Sequence, residues 1–140
     1  MAVVITASAS GWLGEAARLR TGTQDPRFRA WATLAQAEFA NDQEHAEAAL
    51  AGIDQAIAQA DALGLPDLRF EALIRLSTIL VNRGQSEQTA GVLAKMQAMV
   101  EAGDNPRWRA LWLHERGVLS ARDLRRAEPA DQRHHVDILR

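Results

Sequence analysis

The residues of this chain that could do chemistry are few, and their spacing decides what each can be. His114-Glu115 opens like the zinc motif H-E-x-x-H, in which two histidines four apart on one helical face hold the metal and the glutamate activates water. The place of the second histidine is taken by Val118, so that ligand pair is missing. Asp131, His134, His135 and Asp137 carry metal-capable side chains. Adjacent His134 and His135 would point about 100° apart on a helix, so this group reads as a polar tail. His45, after Glu44 near the start of an acidic helix, reads as surface. The glycines of GWLGEAARL (Gly11–Leu19) fit neither of the common phosphate-binding loops. There is no cysteine, which removes thiol nucleophiles, disulfides and zinc knuckles. Paired carboxylates stand on the helices without a readable apolar pocket to set them apart as acid and base. No catalytic residue, cofactor or metal is assigned, and no enzyme is expected.

What remains is arginine, whose planar fork meets a carboxylate in two hydrogen bonds. Three arginines stand beside an aromatic just after a proline: Arg27-Phe28, Arg69-Phe70 and Arg107-Trp108. The prolines Pro26, Pro66 and Pro106 are evenly spaced, 66 − 26 = 40 and 106 − 66 = 40, a period that signals stacked helical hairpins. Asp25 and Asn105 precede their prolines as helix N-caps. Phe28, Trp31, Leu34, Ala35 and Phe39 form the first apolar stripe, with Trp31 as its core residue, and Asn41-Asp42 supplies the turn. A second helix runs from about Gln43 to Leu63 on Ala46, Ala49, Leu50, Ile53, Ile57 and Ala60, and Gly64 caps it. The next copy repeats the order with Phe70, Leu73, Leu76, Ser77 and Leu80, the turn Asn82-Arg83-Gly84, then Val92, Leu93, Met96 and Val100, then Gly103. The third copy runs from Asn105 through Trp108, Leu111, Trp112, Val118 and Leu119 to about Arg126. Pro129 breaks it, leaving Ala130 to Arg140 for a short or unfinished partner helix. Three segments follow: a lead-in with a capping helix over 1–24, the repeats over 25–126, and a short terminal helix or tail over 127–140.

The 140 residues, 47% hydrophobic and 24% charged, suit one soluble domain with a real core. The formal charge of −2 conceals an asymmetry. Asp25 to Pro66 holds two arginines against seven acids, and Asn105 to Arg140 eight arginines against five acids. Such a gradient can orient a charged partner. With a sequence pI near 6.1 and acids interspersed among the arginines, nucleic acid is not the expected partner. No secretory signal and no run of roughly 18 apolar residues is present, so the expected location is cytoplasmic and off the membrane.

The residues resemble the tetratricopeptide repeats, whose helix pairs follow W-x2-L-G-x2-Y, then A-x3-F, then P. Trp31-x2-Leu34-Ala35 and Leu73-x2-Leu76-Ser77-x2-Leu80 match the opening, and Ala49-x3-Ile53 and Thr89-x3-Leu93 the second helix. The 40-residue period is similar to the longer repeats of bacterial regulator and signalling proteins. The resemblance implies an all-α fold of antiparallel hairpins stacked as a short right-handed solenoid, with the first helix of each pair lining a concave face. It implies a protein-protein interaction module, scaffold or regulatory, that takes a peptide or protein segment, acidic or carboxylate-ended. The alternative is the ligand-sensing arm of a regulator whose output domain lies elsewhere. The positions matching the family's groove are Arg29, Gln36 and Phe39, then Glu71, Thr78 and Asn82, then Arg109, Trp112 and Arg116. Trp112 is the expected apolar anchor, and His114 and Glu115 suit an exposed end face. The ends of the array are candidate surfaces for self-association.

Overall fold

The computed structural model describes residues 25–128. They form five helices, α1 Pro26–Asp42, α2 Ala46–Leu63, α3 Pro66–Asn82, α4 Ser86–Ala102 and α5 Pro106–Ala127, with no strand among the described residues. The lead-in over 1–24, and the tail with Asp131, His134, His135 and Asp137, lie outside them.

Every helix starts on the 40-residue frame: α1, α3 and α5 at 26, 66 and 106, and α2 and α4 at 46 and 86. Local chemistry sets these starts. Asp25 Oδ1 accepts the Arg27 N–H at 3.0 Å, Asn105 Oδ1 accepts the Trp108 N–H at 3.1 Å, and each following proline occupies a position where a missing N–H costs nothing. The first main-chain bonds recur as well: the amides of Arg29, Arg69 and Arg109 donate to the carbonyls of Asp25, Leu65 and Asn105 at 3.1–3.2 Å.

The reversal expected at Asn41-Asp42 falls later, because α1 keeps both residues. It is made by Glu44, at φ 63°, one period before Gly84 at φ 74°. In both turns the next amide closes back on the helix, His45 to the Ala40 carbonyl at 2.8 Å and Gln85 to that of Leu80 at 3.0 Å. Gly64 caps α2 as expected, left-handed at φ 66°, with the Leu65 amide reaching the Ala60 carbonyl at 2.9 Å. Gly103 does not repeat this: its φ is −125°, extended backbone open to any residue.

The chain divides into two compact units, the first ending at Ile79 and the second beginning at Leu80. In the first, the core is made of Ala30, Leu34 and Ala37 on α1, Ala49, Ile53, Ala56 and Ala60 on α2, and Leu68, Ala72 and Ile79 on α3. Small residues dominate because α1 and α2 approach closely; a Cβ built on Gly52 would lie 2.8 Å from the Ala37 Cβ. This seam keeps Leu34 of the expected first stripe inside and turns Phe28 and Trp31 out of it. Phe28 and Trp31 are 37% and 42% exposed, since a gap sized for alanine and glycine has no room for an indole, and α1 turns its small side into the seam. On α3, Ala72, Leu73 and Ile74 are buried in succession, so that helix is enclosed on several sides rather than along one stripe.

In the second unit the expected face of α4 holds, with Val92, Leu93, Met96 and Val100 buried and Thr89 beside them. Trp112 and Leu119 are the buried apolar residues of α5. Trp112, the expected exposed anchor, is only 8% exposed, and Glu115 is buried with it. Three residues past Trp112 and four before Leu119, Glu115 shares their inward face, while His114, about 100° round, stays exposed.

Candidate functional site

The first unit carries a groove of about 240 Å³ between α1 and α3, floored by Ala37, Ile53 and Ile79 and walled by Glu38, Asn41, Asp42, Arg75 and Thr78. Glu38, Asn41 and Asp42 sit three and four residues apart, so the end of α1 offers one polar face. Arg75 and Thr78 supply the opposite wall from α3 by the same spacing. Arg75 Nε donates to Glu38 Oε1 across the groove, both side chains remaining roughly two-fifths exposed. The Thr78 hydroxyl donates to the Ile74 carbonyl at 3.1 Å, which leaves the oxygen's lone pairs available to a donor. Amide, hydroxyl, carboxylate and guanidinium groups thus surround an apolar floor, an arrangement able to hold a main-chain segment and one side chain.

Of the residues expected on the binding face, Thr78 lines this groove. Gln36 and Glu71 are half-buried and Arg29 is exposed; none of the three lines it. In the second unit Asn82 is engaged, its Oδ1 accepting from Arg122 Nη2 at 3.0 Å. One turn further along α5, Arg126 Nη1 donates to Ser86 Oγ at 2.9 Å, and the Ser86 hydroxyl donates to Asp123 Oδ1 at 2.7 Å. These contacts tie the end of α5 to the turn before α4. Arg109 and Arg116 are exposed. Arg116 lies over the buried Trp112 ring, 5.1 Å from its centroid, an attraction that orients the guanidinium. Trp112 therefore supports Arg116 instead of facing a partner.

Sequence reasoning missed Glu38, Asn41, Asp42 and Arg75. For two of them a signal was present, since Glu38 and Asp42 occupy the repeat positions of Thr78 and Asn82 (78 − 38 = 40 and 82 − 42 = 40), both expected on the binding face, whereas Asn41 and Arg75 had no such counterpart. No group of three or more metal-capable side chains occurs among the described residues, and none of the described helices is long and apolar enough to cross a membrane. No family model, curated protein or solved structure matches this chain.

Proposed function

We propose that this chain is a protein-interaction module of tetratricopeptide-like helical hairpins, and that the groove between α1 and α3 receives an extended segment of a partner protein. The observation that carries this reading is the groove itself, an apolar floor between two polar helix faces held by the Arg75–Glu38 pair. Its size favours a peptide side chain over a small-molecule sensor, since about 240 Å³ lies below the roughly 300–1,000 Å³ of ordinary ligand pockets. Glu38 and Asp42 outweigh Arg75 in charge, so the preferred segment places a basic or amide side chain there. A second reading rests on the exposed pair Arg109 and Arg116, which suits the acidic or carboxylate-ended segment implied by the family resemblance.

Peptides selected from a displayed random library on the purified chain test both. For groove binding, Thr78→Arg, which fills the groove, weakens the selected peptides at least tenfold, while Arg109→Ala and Glu87→Ala leave them unchanged. Peptides that ignore Thr78→Arg and lose affinity with Arg109→Ala place the site on α5 instead.

A further inference from the structure

The repeat frame relates the groove of the first unit to a contact made inside the second. Asp42, Asn82 and Arg122 occupy one repeat position, 82 − 42 = 40 and 122 − 82 = 40, and Asp42 and Asn82 are the last residues of α1 and α3. In the second unit the helix end at that position receives a guanidinium. Arg122 Nη2 donates to Asn82 Oδ1 at 3.0 Å, and one turn further along α5 Arg126 Nη1 donates to Ser86 Oγ at 2.9 Å. In the first unit the residue one period after Asp42 is Asn82, which carries no charge. Asp42 keeps an exposed carboxylate that forms no ion pair among the described residues.

The groove that Asp42 lines suits the same kind of side chain. Its walls carry Glu38 and Asp42 against Arg75 alone, and Arg75 gives its Nε to Glu38, so one carboxylate is left over. The Thr78 proton is spent on the Ile74 carbonyl, which makes the hydroxyl oxygen a further acceptor on the opposite wall. Between the walls Ala37, Ile53 and Ile79 form an apolar floor, on which the methylene stem of a long cationic side chain can lie. Lysine and arginine both supply the charge. Arginine fits better, because its N–H groups spread in one plane can reach acceptors on two facing walls, and its guanidinium is more weakly hydrated than an ammonium.

We propose that the groove between α1 and α3 selects an arginine side chain of the partner's segment, its stem on the apolar floor and its guanidinium between Asp42 and Thr78. This inference rests on the groove reading above and narrows it to one residue type.

The probes are the peptides selected on the purified full-length chain whose binding Thr78→Arg weakens. The expected consensus fixes one arginine. Exchanging that arginine for citrulline, which keeps the shape and loses the charge, weakens binding by about tenfold or more, and exchange for lysine by roughly threefold. Asp42→Ala weakens the arginine peptide by about fivefold and leaves the citrulline peptide nearly unchanged, the non-additivity that marks a direct pair. The melting curve of Asp42→Ala stays at or above that of the parent, since an exposed carboxylate at a helix C-terminus opposes the helix dipole. Groove peptides without a fixed arginine overturn the inference and leave the groove reading standing. So does equal binding of the citrulline or lysine peptide, or an equal loss from Asp42→Ala with the arginine and citrulline peptides. If no selected peptide responds to Thr78→Arg, the groove reading falls and this inference falls with it.

Discussion

Glu44 and Gly84 occupy one position of the repeat and hold the same left-handed backbone, at φ 63° and 74°. Glycine does so freely, whereas a side chain there costs roughly 1 kcal/mol. Glu44→Gly is therefore expected to raise stability by about 0.5–1 kcal/mol, less than the full strain because glycine also loosens the unfolded chain. Urea titration followed by circular dichroism reads this directly, and a loss of stability would mean that the glutamate side chain holds the turn. The tryptophans make a sharper contrast. Trp112→Ala removes a buried indole and should cost about 3–5 kcal/mol, while Trp31→Ala, on a side chain 42% exposed, should cost much less. Comparable losses for the two would place Trp31 in the core after all. The sequence marked both as apolar residues at helical spacing, but which one faces inward depends on how closely the facing helix approaches.

At the scale of the element, that approach is set by Gly52. Its missing side chain lets α2 come against Ala37, so Gly52→Val drives an isopropyl group into a gap closed even to a single methyl. We expect a loss of about 1–3 kcal/mol, visible as a lower melting temperature with the far-ultraviolet spectrum unchanged. An unaltered melt would show that the seam yields. Boundaries of the helices were readable from residues because caps act locally: Asp25-Pro26, Asn105-Pro106 and Gly64 fix ends through bonds to their own neighbours. Gly103 and Asn41-Asp42 misled for the same reason, since a glycine need not take the left-handed region and an Asn-Asp pair need not end a helix. The faces were less readable. On α4, Val92, Leu93, Met96 and Val100 followed the pattern, but on α1 alanine won the inward side from phenylalanine and tryptophan, an outcome fixed by α2.

For the whole molecule, the 40-residue frame was legible in three prolines and is carried by all five described helix starts. The groove was only partly legible, because Glu38, Asn41, Asp42 and Arg75 look like ordinary solvated polar residues until two helices bring them to face each other. Trp112 shows the opposite case: an aromatic beside arginines suggests an anchor in sequence, and it is buried beneath Arg116.

α5 runs for 22 residues where α1 and α3 run for 17. The position that reverses the chain in the first two copies falls on Leu124 in the third (84 + 40 = 124). Leucine accepts the left-handed backbone only at a cost, and there the helix goes on to Ala127. That one position acts as punctuation. Glycine, or a tolerated glutamate, tells the chain to begin a new line, and leucine lets the line run on, so a single letter of the frame decides whether a helix stops after 17 residues or continues to 22.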